Sequence, residues 1–153
     1  MMDPWYATVS SQSYKQNFKD PNAFVSRLMG AINDEASAVQ FYDVLEEMAP
    51  GPYRDFVTHA KHDEMVHLGV FRKLYRRLTG RESAVKVETT KFSSYKEGLE
   101  IAFRRELEAA ELYRDMYLRT RVPKIRDILF KTMTDEMEHA QRFNFLYTVS
   151  QKS

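Results

Sequence analysis

The chain contains no cysteine. That excludes disulfides, zinc–thiolate sites and iron–sulfur centres within it. Nor does it lean to one sign of charge: 23 Lys and Arg against 22 Asp and Glu leave +1 at neutral pH. Charges so evenly mixed give no case for nucleic acid or an anionic membrane as a partner. No apolar run approaches the roughly 20 residues that a bilayer-spanning helix needs. Met1 to Ser10 has no basic region followed by an apolar stretch, so no secretory signal is read there. These absences lead to the expectation of a soluble, cytoplasmic protein. What is present is apolar material. With 43% hydrophobic and 13% aromatic residues in 153, one domain can bury a real core.

The chain also repeats itself. Asp63-Glu64-Met65-Val66-His67 recurs as Asp135-Glu136-Met137-Glu138-His139. Both copies continue to Phe (Phe71, Phe143) and then to Leu-Tyr (Leu74-Tyr75, Leu146-Tyr147). Arg54-Asp55 upstream matches Arg126-Asp127. An earlier pair of segments also corresponds: Ala31, Glu35, Ala38 and Tyr42 against Ala102, Glu106, Ala109 and Tyr113. Two copies of one helical hairpin explain this, each carrying a Glu and then Glu-x-x-His. Four carboxylates and two imidazoles make a ligand set for two metal ions.

Residues 1–21 read as an N-terminal arm, with Trp5, Tyr6, Tyr14 and Phe18 among polar residues. Residues 22–150 read as the bundle domain. Helical periodicity predicts helices over about Asn22–Met48, Pro52–Leu78, Ser94–Thr120 and Pro123–Val149. Asn22 is the expected cap of the first, Pro52 suits the first turn of the second, and Ser93 or Ser94 caps the third with Glu97 in its first turn. The short breaks at Pro50-Gly51-Pro52 and Arg121-Val122-Pro123 make each pair antiparallel neighbours. Thr79 to Ser93 reads as extended chain. It can reach about 50 Å, and a 27-residue helix is about 40 Å long. The expected fold is therefore an all-α four-helix bundle of two antiparallel hairpins joined by a long crossover.

Steps of three and four residues from each Glu trace one face of each helix. The first face runs Leu28, Ala31, Glu35, Ala38, Tyr42, Leu45, and the other three follow the same scheme. Each apolar stripe is interrupted at the same depth by a carboxylate. Isolated ionised carboxylates in a core cost several kcal/mol each, so four at one level require compensating positive charge. The candidate metal ligands are Glu35, Glu64, His67, Glu106, Glu136 and His139. One imidazole per ion among carboxylates suits Fe(II) or Mn(II). Asp63 and Asp135 are placed to orient the histidine of the opposite hairpin, Asp63 on His139 and Asp135 on His67. Tyr42 and Tyr113, two turns past their glutamates, either pack in the core with satisfied hydroxyls or take part in redox chemistry. His59 and His62 have no repeat partners, since Lys131 and Thr134 replace them, and both read as exposed.

From Asn22 to Val149 these residues resemble the ferritin-like superfamily, specifically its rubrerythrin-type and bacterioferritin-type di-iron proteins. The resemblance implies Glu64 and Glu136 as bridging ligands. It implies Glu35 with His67, and Glu106 with His139, as terminal ligands of two irons, with Tyr42 beside them. It implies reaction of Fe(II) with hydrogen peroxide or oxygen, as a peroxidase or ferroxidase. Iron storage or transfer, and a di-manganese catalase-like activity, are the alternatives. Three features depart from the pattern. Ala109 stands where rubrerythrins carry a further glutamate, so the set is closer to the six-ligand bacterioferritin kind. A rubredoxin domain is missing, as the lack of cysteine requires, so electrons come from iron substrate or an external donor. No fifth helix is evident after Val149. Haem is not expected, because Met65, at the place of a haem-ligating Met in relatives, is matched by Met137 in the other copy. A homodimer or larger homo-oligomer is the default assembly.

Overall fold

The computed structural model describes residues 15–152, and all structural statements below concern those residues. The bulk of the expected arm, including Trp5, Tyr6 and Tyr14, lies outside them. Four long helices make the body: α1 (Pro21–Met48), α2 (Arg54–Thr79), α3 (Tyr95–Leu118) and α4 (Pro123–Ser150). None is long and apolar enough to cross a membrane. The fold is the all-α four-helix bundle that the periodicity predicts.

Helix ends follow local chemistry, with two differences from expectation. The cap of α1 is Asp20, not Asn22. Its carboxylate accepts from Ala23 N at 3.0 Å, and Pro21 occupies the first helical position, where its fixed φ is already helical. The second helix begins at Arg54, because Gly51-Pro52-Tyr53 first closes a 3-10 turn. Ser94 caps α3, accepting from Glu97 N at 3.2 Å. Glu97 in turn accepts from Ser93 N at 2.7 Å and Ser93 Oγ at 2.6 Å. Helix α2 stops at Gly80, whose φ of 69° is left-handed and easy for glycine alone.

Two apolar clusters show how the helices run. One joins Phe24, Leu28, Phe71, Leu74, Tyr113, Met116, Ile125 and Leu129. It takes the start of α1, the end of α2, the end of α3 and the start of α4. The other joins Tyr42, Leu45, Val57, Ala60, Leu99, Ala102, Phe143 and Leu146, from the opposite ends. So α2 returns beside α1, α3 runs the same way as α2, and α4 returns beside α3. That topology requires the segment between α2 and α3 to travel the full length of the bundle.

It does so along α1. Lys86 N donates to Asn33 Oδ1 at 2.8 Å, Glu88 N to Ser37 Oγ at 2.9 Å, and Thr89 Oγ1 to Gln40 Oε1 at 3.0 Å. Asn33, Ser37 and Gln40 fall at helical spacing on one face, so α1 offers a ladder of acceptors to an extended chain. Val85 packs on the first cluster and Phe92 on the second. Gly98 allows the landing: a Cβ there would lie 2.7 Å from both Leu45 Cδ1 and Phe92 Cε2. At the other end, Lys19 N donates to Arg119 O at 2.9 Å and Arg121 N to Asn17 O at 2.7 Å. This pins buried Phe18 against Phe24, ring centroids 4.6 Å apart.

Candidate metal centre

Between the two apolar clusters lies a polar layer that the helices cannot avoid burying. Glu35, Glu64, Glu106 and Glu136 are each 2% exposed, His67 is 3% and His139 is 0%. Each helix contributes to this layer: Glu35 from α1, Glu64 and His67 from α2, Glu106 from α3, Glu136 and His139 from α4. The three-residue step in Glu-x-x-His keeps both side chains on the buried face.

The six converge as two overlapping groups. Ligand atoms of Glu35, Glu64, His67 and Glu136 lie within 4.8 Å of one another, and so do those of Glu64, Glu106, Glu136 and His139. Glu64 and Glu136 belong to both. His67 Nδ1 stands 3.0 Å from Glu136 Oε1 and 3.6 Å from Glu35 Oε2. His139 Nδ1 stands 3.0 Å from Glu64 Oε1 and 3.4 Å from Glu106 Oε2.

These approaches are close, but they are not directed as hydrogen bonds. Glu35 Oε2, Glu64 Oε1, Glu106 Oε2, Glu136 Oε1 and both Nδ1 atoms are buried without a hydrogen-bond partner. Buried polar atoms normally have partners. Six orphans, one from each residue and all aimed at one volume, fit a pair of cations.

The remaining atoms of the same side chains are held. Asp135 Oδ2 lies 2.9 Å from His67 Nε2, and Asp63 Oδ2 lies 2.9 Å from His139 Nε2. A carboxylate offers lone pairs, so each aspartate accepts a hydrogen bond from the Nε2–H, which keeps its proton. Nδ1 is then the atom left for a cation or, with none bound, for a second proton. The Tyr42 hydroxyl donates to Glu106 Oε1 and the Tyr113 hydroxyl to Glu35 Oε1. Each tyrosine therefore holds the glutamate of the other hairpin, an arrangement that needs tertiary register and could not be read from spacing. Their rings pack on Phe143 and Phe71, centroids 5.2 Å apart in both cases.

Electrostatics report the same strain. Burial, then repulsion from Glu35, Glu106 and Glu136, pushes Glu64 well above the usual carboxyl range. Burial, then Glu106, does the same to Glu136. Burial also raises Glu35, but the close approach of Glu64 and His67 and the hydrogen bond from the Tyr113 hydroxyl outweigh it and hold that group low. Burial opposes charge on the histidines. Glu35 and Asp135 nevertheless raise His67 above its ordinary value, and Glu106 and Asp63 raise His139. Without a cation the cluster keeps protons on its shared glutamates and charge on its imidazoles. Divalent cations can replace both.

One participant was missed in the sequence. His59, expected to be simply exposed, is half-exposed but bonded: its Nε2 lies 3.1 Å from Asp63 Oδ2 and 3.7 Å from Glu138 Oε1. Lys131, its counterpart, lies 2.6 Å from Asp135 Oδ2. The signal was there, since both precede their aspartate by four residues, one helical turn.

Comparison with known proteins agrees with this geometry. A family model described as Rubrerythrin matches residues 27–147. The uncharacterized protein YhjR of Bacillus subtilis (strain 168) is 29% identical over 131 residues, which is 85% of this chain and 90% of that one. Among solved structures, the dodecameric thioferritin of Bacteroides fragilis, a bacterioferritin-related protein, aligns with a TM-score of 0.79 at 16% identity. The alignment covers 93% of this chain and 94% of that one. A ferritin-like, diiron-carboxylate protein of Bacillus anthracis str. Ames aligns with a TM-score of 0.72 at 20% identity, over 84% and 98%. At such identities the structural likeness speaks for the fold.

Proposed function

The chain belongs to the rubrerythrin family, and from that premise we propose that it is a di-iron oxidoreductase working in the cytoplasm. It binds two Fe(II) ions between its hairpins and reacts them with hydrogen peroxide or oxygen. The observation that carries this reading is the set of six buried, unpartnered ligand atoms in two groups that share Glu64 and Glu136. In this reading Glu64 and Glu136 are common to both ions. Glu35 and His67 complete one end, and Glu106 and His139 the other. Carboxylates with one imidazole each suit iron, and manganese next.

The iron pair, when bound, supplies the electrons that reduce the oxidant. The protein's own part is orientation and exclusion. Asp63 and Asp135 fix each imidazole with Nε2 outward and Nδ1 inward. Tyr113 and Tyr42 each hold one oxygen of Glu35 and Glu106 and leave the other for an ion. Phe71 and Phe143, fully buried, close the layer from the apolar clusters on either side. Having no cysteine, the chain must receive its electrons from iron itself or from a separate donor.

A second reading, iron storage, draws on the assembly of the Bacteroides relative, which is a dodecamer. That relative also supports a homo-oligomer here. One experiment separates the readings. Metal-free protein is titrated with Fe(II) without oxygen, and iron per chain is measured before and after peroxide or oxygen is added. Saturation at two per chain followed by rapid oxidation supports the oxidoreductase. Uptake far beyond two favours storage. If Fe(II) does not bind but Mn(II) does, and peroxide is then consumed without a reductant, the di-manganese alternative replaces both.

A further inference from the structure

The four glutamates of the centre share more than their ions. All of them line one cavity of about 260 Å³. Neither histidine does, because both are turned toward Asp63 and Asp135 where α2 meets α4. The cavity therefore opens on the opposite side, between α1 and α3, and Ala38 and Ala109, one on each helix, face into it. The small side chain of Ala109 leaves this space open.

The outer wall is acidic. Asp34 from α1, Glu88 from the crossover and Glu108 from α3 line it, against Arg105. All three acids are exposed. The crossover holds Glu88 in place, since Glu88 N donates to Ser37 Oγ at 2.9 Å. Arg105 is fixed as well, donating to Thr90 Oγ1 and lying 5.2 Å from the centre of the Phe41 ring. At the inner end stand the unpartnered oxygens of Glu35, Glu64, Glu106 and Glu136.

We propose that this cavity is the entry route for divalent cations, with Asp34, Glu88 and Glu108 as an acidic mouth and Arg105 as its opposing charge. The proposal rests on the reading of the cluster as a metal centre. A hydrated cation gains first from the three exposed carboxylates and then from the four buried glutamates, whose shared pair gives up its protons as the cation arrives. A neutral molecule such as peroxide gains nothing from that field. His59, on the α2–α4 side, stands off this path.

The test uses the metal-free full chain and Co(II), which does not react with oxygen on this timescale, followed by stopped-flow visible absorbance. Neutralising the mouth (Asp34→Asn, Glu88→Gln and Glu108→Gln together) should slow binding about tenfold at low ionic strength. It should also flatten the salt dependence that the wild type shows, while two Co(II) per chain still bind at equilibrium. Arg105→Gln, with helicity checked by circular dichroism, should speed binding a few-fold. An unchanged rate in the triple variant, or slower binding in Arg105→Gln, overturns the route while leaving the metal centre intact. A wild type that binds no Co(II) removes the centre and the route with it.

Discussion

Behind His67, Asp135 is held by Lys131; behind His139, Asp63 is held by His59. The candidate ligand positions of the two ends match residue for residue, yet their backing does not. Lys131 sets a permanent positive charge 2.6 Å from Asp135, and Glu138, 3.7 Å from His59, adds a negative charge at the other end. A backing carboxylate strengthens the imidazole it holds, by however much of its charge is left unshared. Asp135 shares its charge with Lys131, and this helps to hold its carboxyl below the ordinary range against burial, which acts the other way. The His139 end should therefore bind its cation more tightly than the His67 end. The repeat keeps the residues proposed to touch the ions and lets what stands one residue further out diverge.

The largest effect should come from removing what the ends share. Glu64→Ala takes a ligand from both, so iron-dependent oxygen and peroxide chemistry should vanish while circular dichroism stays helical. Unchanged oxidation kinetics would sink the assignment. The shared pair should also govern the metal-free protein's response to pH. Glu64, Glu136, His67 and His139 all hold protons more tightly folded than unfolded. Their stabilisation is complete below the unfolded values, 4.5 for the carboxyls and 6.5 for the imidazoles, and is lost as pH rises through the raised ones. Each tenfold gain in proton affinity on folding stabilises by about 1.4 kcal/mol. Glu35 and Asp135, held low, act in the opposite sense only in acid. Melting temperature without metal should fall as pH rises above the ordinary carboxyl value of 4.5 and on past the ordinary imidazole value of 6.5, and bound metal should flatten that fall. A rising curve would contradict the protonation pattern.

Finer changes address one end at a time. Asp63→Ala and Asp135→Ala should each weaken one of the two binding steps by about 10- to 100-fold, read by calorimetric titration with Co(II). Asp63→Ala should cost more, since its charge is less shared. Equal losses would erase the proposed inequality. Smallest is Lys131→Met, which should tighten the weaker step by a few-fold, as expected for a charge that is two-thirds exposed and screened. Loosening of that step would mean that Lys131 serves to position Asp135 and not to moderate it.

Much of this was legible in the sequence for a physical reason. A buried helix face repeats every three to four residues, so Glu35, Glu64, Glu106 and Glu136 stand out as charges where apolar residues belong. The bundle followed from the same stripes, and the crossover from chain length. What escaped depends on three dimensions or on competition between neighbours. Asp20 outranks Asn22 as a cap because Pro21 fixes the first helical residue between them. The tyrosine hydroxyls reach glutamates on the other hairpin, which no spacing discloses. The acceptors that α1 offers the crossover, Asn33, Ser37 and Gln40, read as ordinary polar surface until the extended chain lies on them.

The central claim is that six side chains hold two ions with Glu64 and Glu136 between them. A crystal of the iron-loaded protein, measured on both sides of the iron absorption edge, tests it directly. The account predicts two anomalous peaks per chain, one against Glu35 and His67, the other against Glu106 and His139, both within reach of Glu64 and Glu136. A single peak, or iron bound anywhere other than this layer, would contradict it.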